Sequence, residues 1–422
     1  MLKKIVFILL LLCGLTPAQG IVVDTTFFSQ SLGFNRDVDV YLPEGYDSNS
    51  AIYYPTIYFL HGAGGDNDSY PEIIDILDSL IAIEAIEPVI AVKPDGYVRP
   101  FAGSMWANSV LYGNFEDFVI YDLREFIESS FRAIPERNKR AITGHSMGGI
   151  GSMSLALRHP DIYIAVAAMS GSLDLNAGID SWIPHILQEN PGGPPYDYYP
   201  LNGVFTLLTY TAAGAFSPNL DHEPFLVDFP LDEQGEKIDS VYERWLPHNP
   251  ANMIASLLPD FDEALYFDCG TEDHLEFYPM NTAFAETLDN HGMEYEFQTF
   301  SGDHYSPTRP PVAFEFLDSV MRAATGVDDN SPYLPAKISL LQNYPNPFNA
   351  STMIEYTLPA ESSVKLEIYN LLGRRVVALV DYLQPAGKYS VVWNASGYSS
   401  GVYFARLTSG EVNKSIKLLL IK

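Results

Sequence analysis

Cysteine is nearly missing from this sequence: Cys13 and Cys269 are the two among 422 residues. They allow one disulfide at most, which excludes a small disulfide-stapled framework and leaves a packed core to supply stability. Basic residues are scarce as well, 24 Lys and Arg against 53 Asp and Glu, for a formal net charge of -29. A surface of that sign repels phosphate backbones and anionic lipid heads, so no nucleic-acid or membrane-surface partner is expected. Long apolar runs are lacking too. The N-terminal run Ile5 to Cys13 falls far short of the roughly 20 residues that a spanning helix needs. Lying between Lys3-Lys4 and Pro17-Ala18-Gln19-Gly20, it has the layout of a secretory signal peptide over residues 1–20. Its removal takes Cys13 with it, and Cys269 is left without an intramolecular partner.

What is present is a globular composition, 47% hydrophobic and 18% charged, on a chain longer than one typical domain. Charge divides it. Residues 338–422 hold 8 Lys/Arg against 5 Asp/Glu and the first 20 residues hold two lysines and no acid, so the acidic excess lies wholly between them. The boundary falls at a polar stretch, residues 325–337, where Gly326, Asp328-Asp329-Asn330 and Pro332 follow the amphipathic stretch Val312 to Ala324. Residues 21–324 alternate extended and helical signals. Thr56 to Leu60, Val89 to Val92, Arg140 to Thr143, Ile164 to Ala168 and Ala264 to Phe267 are short apolar runs ending in turn residues, suited to buried parallel strands. Helical patterns lie between them, at Phe115 to Phe131 and Met147 to Arg158. An α/β fold follows, with a doubly wound, mostly parallel sheet. Phe27 to Leu42 reads as an antiparallel pair at one edge. Residues 171–250, rich in Pro, Gly and aromatics, interrupt the rhythm, and the aromatic density there leads to the expectation of an ordered cap over the sheet.

The sharpest local signal is Gly144-His145-Ser146-Met147-Gly148-Gly149, after a strand pattern and before a helical one. That is the layout of a nucleophile elbow, in which a tight strand-to-helix turn lifts a serine hydroxyl clear of the sheet. A bare Gly-x-Ser-x-Gly arises by chance in many proteins; the strand and helix on either side are what give it meaning here. A serine needs a base, and the base an orienting acid, in the chain order Ser, acid, His for an α/β-hydrolase. Of nine histidines, His61 and His145 fall inside other motifs, His159, His185, His222 and His248 precede or lie within the cap, His274 adjoins the candidate acid, and His291 ends a helical pattern. His304 follows the strand-like Glu294 to Phe300, where a last strand should deliver a loop histidine; the alternative is a surface loop residue. Asp273, in the turn after Ala264 to Phe267, is the favoured acid, with Glu272 and Asp268 the alternatives. Leu60-His61-Gly62-Ala63-Gly64-Gly65 supplies a small-residue loop after the third strand, so the Ala63 amide is expected to pair with that of Met147 as an oxyanion hole. A phosphate-binding loop is excluded by the absence of its Lys-Ser/Thr ending. No metal-ligand pattern of comparable strength appears, and no cofactor is expected.

These residues, with Val40-Tyr41-Leu42-Pro43-Glu44-Gly45-Tyr46, Trp106-Ala107-Asn108-Ser109 and Asp122-Leu123, resemble over residues 25–323 the esterase family that includes feruloyl esterases, S-formylglutathione hydrolases and antigen 85 mycolyltransferases. The resemblance implies a catalytic triad of Ser146, Asp273 and His304, with Ala63 and Met147 as oxyanion donors. The chain departs at Gly302-Asp303-His304-Tyr305, where members often have Gly-Gly-His and then Trp. Residues 338–422 resemble the type IX secretion sorting domain, through Leu341 to Asn349, Ile368 to Gly373, Ala386 to Tyr389, Trp393 and Gly401 to Phe404. Ala350 stands where that family commonly has proline. Alternating apolar residues between Pro and Gly turns suit a small all-β, immunoglobulin-like sandwich. The resemblance implies recognition by the secretion machinery and export to the cell surface or medium; a polysaccharide-binding module is the alternative. A secreted serine esterase acting on feruloyl or acetyl esters, small or linked to polysaccharide, is the expected activity. Acyl transfer to a sugar and a non-catalytic surface-binding role are the competing expectations.

Overall fold

The computed structural model describes residues 19–48, 51–193, 203–257, 261–324, 338–340, 343, 346–358, 362–384, 387–410 and 412–422. The segment expected to be a signal peptide, save its last two residues, and the stretch 325–337 lie outside them. Two compact units result, Met1–Gly326 and Val327–Lys422.

In the first unit, the β-branched and aromatic runs form strands β1 (Ile21–Ser29), β2 (Phe34–Leu42), β3 (Thr56–Leu60) and β4 (Ile90–Pro94). A two-residue ladder follows, β5 (Asn108–Ser109) with β6 (Gly113–Asn114), and then β7 (Arg140–His145), β8 (Ala165–Met169), β9 (Ala264–Gly270) and β10 (Glu296–Phe300). All but β5 and β6 join one sheet in the order β1-β2-β4-β3-β7-β8-β9-β10. The β1–β2 hairpin is antiparallel and meets β4 antiparallel, whereas β4, β3, β7, β8, β9 and β10 run parallel. The edge hairpin starts six residues earlier than its apolar pattern suggests, because Ile21 to Thr26 find a full register of partners on β2.

Strand residues alternate between two apolar layers, as the period of two demands. Tyr58, Leu60, Ile142, Val166 and Phe267 face one side, and Ile57, Phe59, Ala141, Ala165 and Tyr266 the other. The helices are α1 (Glu72–Ala82), then α2 (Phe115–Asp117), which passes through a π-helical turn (Phe118–Leu123) into α3 (Arg124–Ser130), α4 (Met147–Arg158), α5 (Leu175–Glu189), α6 (Val204–Phe216), α7 (Asp239–Tyr242), α8 (Pro250–Ile254), α9 (Phe277–Asn290) and α10 (Arg309–Ala323). Ile73 and Leu77 of α1 with Phe314 and Leu317 of α10 cover one face; α3, α4 and α9 cover the other. Each such fully buried side chain contributes about 1.5–3 kcal/mol. The π turn accommodates buried Asp122, whose carboxylate accepts from Ser29 Oγ at 2.5 Å and Ser31 N at 2.8 Å and so ties the helix to the edge hairpin.

The insertion between β8 and β9 is helical in part, a regularity that its composition did not show. It carries α5 and α6, which close over a second apolar cluster containing Ile179, Trp182, Phe205, Tyr210 and Trp245. Ten of the thirteen residues of α6 are buried, so the segment has no polar face to give a helical period. Residues 194–202 of the insertion lie outside the described set.

The strands of the second unit pair antiparallel, and an isolated parallel bridge joins Phe348 to Leu420. Strands β11 (Ser339–Leu340), β12 (Ser351–Leu358) and β15 (Gly387–Asn394) make one sheet; β13 (Ser362–Asn370), β14 (Arg375–Gln384), β16 (Gly401–Ser409) and β17 (Val412–Leu420) make another, in the order β14-β13-β16-β17. Phe348, Ile354, Tyr356, Leu366, Trp393 and Leu407 form their shared core.

One buried group works against the first unit's stability. Glu263 is 5% exposed, and neither carboxylate oxygen has a hydrogen-bond partner among the described residues. Burial pushes its carboxyl well above the ordinary range, opposed in part by Arg137. With the folded value raised, the native state holds a proton that the unfolded chain releases near pH 4.3, so this group's stability, complete below that pH, is lost as pH rises toward the folded value. A Glu263→Met variant is expected to gain about 1–3 kcal/mol at pH 8 and less at pH 4. Scanning calorimetry at both pH values checks this; an unchanged or lower melting temperature at pH 8 counts against it.

Candidate active site

Strand β7 ends and α4 begins on either side of Ser146, which holds φ 59° and ψ -117°, a conformation that a β-carbon resists. The surroundings over-determine it. Ser146 N–H donates to the Met169 carbonyl at the end of β8 at 2.9 Å, and Ile150 N–H donates to the Ser146 carbonyl at 3.1 Å. A β-carbon on Gly148 or Gly144 would run into the Leu60 carbonyl of β3, so the glycine spacing of the elbow is set by helix, strand and neighbouring strand meeting at van der Waals distance.

The structure brings the three residues read from chain order together. Ser146 Oγ donates to His304 Nε2 at 2.8 Å, and His304 Nδ1 donates to Asp273 Oδ2 at 2.8 Å. The Asp273 side chain is fully buried; its Oδ1 accepts the Leu275 amide at 2.9 Å, and the Cys269 thiol lies 3.6 Å from Oδ2. Burial, and then Asp273, push the Cys269 thiol up, so it stays protonated as a weak donor to that carboxylate. The alternative acids go elsewhere. Asp268 faces Arg309 Nε at 3.0 Å and accepts from the Tyr266 hydroxyl, while Glu272 is exposed and joins the His304 loop only by its backbone, through Gly302. Asp303, at the departure from the family pattern, accepts the His304 amide at 2.7 Å and the His274 amide at 3.0 Å. Its pKa is lowered to about 2, chiefly by the His274 ring.

The loop after β3 is pinned close to the elbow. His61 Nδ1 donates to the Gly62 carbonyl at 2.8 Å and its Nε2 accepts the Gly96 amide at 2.8 Å; burial lowers its pKa to about 4, so the ring is neutral. Gly64, at φ 81°, gives its amide to Ala102, and Gly65 gives its own back to Gly62. A β-carbon on Gly62 would lie 3.3 Å from the Ser146 β-carbon, which places the loop beside the serine. Among the described residues, the amides of Ala63 and Met147 are bonded to no other backbone carbonyl. A small apolar cavity opens at Ser146, with Met147, Leu175, Trp182, Leu208 and Met280 in its wall. Asp273, His274 and Asp303 each bring one potential ligand atom within 4.8 Å of the others, yet the contacts above already engage all three within the loops.

Sequence reasoning set His145 aside as part of the elbow and did not single out Tyr70. The structure places the Tyr70 hydroxyl against His145 Nδ1 at 2.8 Å, and His145 Nε2 against the main-chain carbonyl of His304 at 2.9 Å. The signal was faint: a histidine ending a buried strand must find polar partners, but those partners lie 75 and 159 residues away.

Residues 29–308 match the family described as "Putative esterase". The chain belongs to this esterase family. Residues 342–422 match the "Secretion system C-terminal sorting domain", which marks the esterase for export to the cell surface or medium. An esterase of Mycobacterium tuberculosis is 28% identical over 296 residues, 70% of this chain and 58% of its own length. The chain thus spans little more than half of that relative. A Xylanibacter ruminicola protein named endo-1,4-beta-xylanase/feruloyl esterase is 32% identical over 160 residues, 36% of this chain and 22% of that one. A solved structure of a ferulic acid esterase superposes with a TM-score of 0.51 at 24% identity, over 72% of this chain and 99% of that one, and shares its fold. Among the described residues no helix is long and apolar enough to cross a membrane.

Proposed function

We propose that the chain is a secreted serine carboxylic-ester hydrolase with Ser146 as nucleophile. The observation that carries this reading is the unbroken line of 2.8 Å hydrogen bonds from Ser146 Oγ through His304 to a buried Asp273. His304 Nε2 takes the serine proton as Oγ bonds to the acyl carbon, and returns it to the departing alkoxide as that carbon–oxygen bond breaks. Water, deprotonated by the same nitrogen, then releases the acid and regenerates Ser146. Asp273 holds Nδ1–H and stabilises the imidazolium. The Met147 amide, at the positive end of α4, and the Ala63 amide stabilise the oxyanion.

Acetyl and feruloyl esters of polysaccharides are the substrate classes in view, and the cavity at Ser146 favours the first. Its volume is about 30 Å³, and Met105, Ile179, Trp182, Phe277 and Met280 line it; Ser146 and Ser172 are its polar residues. An acetyl methyl fits there. A feruloyl ring needs those side chains displaced, and no carboxylate, carboxamide or imidazole side chain lies in the wall to meet its phenolic hydroxyl.

Two measurements test this. Labelling with a fluorophosphonate is expected to add the phosphonyl mass to the peptide containing Ser146; a label on another residue overturns the assignment. Across p-nitrophenyl esters, kcat/KM is expected to fall by roughly 10- to 100-fold from acetate to octanoate, with methyl ferulate a poorer substrate than methyl acetate. A preference for the ferulate reverses the acyl assignment, and faster product formation on adding a sugar acceptor shifts the reading to acyl transfer.

A further inference from the structure

His145 ends β7 immediately before Ser146 and is 6% exposed. Its two ring nitrogens reach separate parts of the chain, the His304 main-chain carbonyl from Nε2 at 2.9 Å and the Tyr70 hydroxyl from Nδ1 at 2.8 Å. A carbonyl can only accept, so Nε2 carries the proton and Nδ1 accepts from Tyr70, which sets both tautomer and ring plane. Burial, and then His304, whose ring centroid is 4.8 Å away, lower the His145 pKa to about 3, while burial raises the Tyr70 hydroxyl to about 12. Neither group changes charge at working pH. Tyr70 is itself held in place: its φ is 60°, and its ring meets those of Phe59, His145 and Tyr305 at 5.3, 5.6 and 5.8 Å. A β-carbon on Gly62 would lie 2.9 Å from its hydroxyl, so the oxyanion loop rests on the same group.

We propose that His145, backed by Tyr70, is a positioning residue that fixes the His304 loop against the serine elbow. This rests on His304 being the base. The His304 loop is bonded to the turn after β9 by Thr271 N to Phe300 O, Glu272 N to Gly302 O and Asp303 to His274, so Asp273 and His304 move as one piece. Among the described residues, two hydrogen bonds join that piece to the elbow: Ser146 Oγ to His304 Nε2, and His145 Nε2 to the His304 carbonyl. The first breaks in every turnover when the serine proton transfers. The second involves no reacting atom and persists, keeping Nε2 in reach of Oγ, of the leaving oxygen and of the deacylating water. His145 touches no substrate and acts through His304.

The test uses His145→Leu, His145→Gln and Tyr70→Phe in the full chain, each also combined with His304→Ala, with p-nitrophenyl acetate as substrate. His145→Leu is expected to lower kcat roughly 10- to 100-fold, the loss that about 1 Å of misplacement brings, with KM changed less than about twofold. His145→Gln, whose amide can still reach the His304 carbonyl, recovers most of that rate, and Tyr70→Phe costs roughly 3- to 10-fold. In the His304→Ala background, where no base remains to be positioned, His145→Leu changes the residual rate by less than about twofold. Equal losses in both backgrounds, or wild-type kcat in His145→Leu, overturn the proposal. If the leucine variant does not fold, Tyr70→Phe decides, wild-type kcat in that variant having the same meaning. An unsubstituted chain without turnover overturns the ester-hydrolase reading and this proposal together, whereas an active chain indifferent to His145 and Tyr70 overturns this one alone.

Discussion

Replacing Ser146 with alanine is expected to lower kcat for p-nitrophenyl acetate by about 10⁵- to 10⁶-fold, the scale seen when a triad nucleophile is removed elsewhere. Ser172 is the other hydroxyl lining the cavity, and no described hydrogen bond links it to the base, so it does not substitute. What remains is the rate from binding and the two amide donors alone. The fold should survive. Alanine at this position keeps the same strained φ of 59°, the Ser146 amide still reaches Met169, and the loss is one hydrogen bond to His304, about 1 kcal/mol. Ser146→Gly separates strain from chemistry: it is as inactive as the alanine variant, yet melts higher, because glycine removes a backbone cost of about 1–2 kcal/mol. Steady-state kinetics with calorimetry on both variants checks the pair of outcomes. An alanine variant retaining more than about one part in a thousand of the rate removes Ser146 from the nucleophile's role.

The elbow was legible because its requirements are local. Gly144, Gly148 and Gly149 are each dictated by atoms within one turn or on an adjacent strand, and that crowding is written as a contiguous motif. The parallel strands were legible for a similar reason, since burial on both faces leaves continuous apolar runs such as Thr56 to Leu60. Asp273 and His304, the proposed acid and base, were singled out by the order of strand ends, but order alone left Asp268 and Glu272 open. Side-chain direction at the end of β9 separates them, and the Arg309 that engages Asp268 comes 41 residues later, on a helix whose docking no local pattern states. The cap was legible only as an aromatic-rich insertion, because α6, buried at ten of its thirteen positions, carries no polar period to mark it as a helix. Tyr70 was invisible because its role exists only once α1, the elbow and the His304 loop converge.

The separation of the two acids gives the second large effect. Asp273→Asn is expected to lower kcat about 10⁴-fold with little change in melting temperature. Asparagine can keep its carbonyl toward the Leu275 amide, which preserves the turn, but then presents an NH₂ group to His304 Nδ1. Two donors cannot face each other, so the imidazole shifts its proton to Nε2 and can no longer accept from Ser146. Asp268→Asn is expected to do the reverse. Its carboxylate is fully buried and paired with Arg309 at 3.0 Å, so removing its charge strands a guanidinium and costs about 3 kcal/mol or more, while the folded fraction keeps a kcat within a few-fold of wild type. Asp268 lies one strand end away from the reacting line, and its loss should be read by calorimetry rather than by turnover. Kinetics and melting curves on the two variants therefore move in opposite columns. A loss of kcat in Asp268→Asn that matches the loss in Asp273→Asn means that the orienting charge is shared between the two carboxylates, and that the 2.8 Å contact at His304 Nδ1 is not what holds the base in its working tautomer.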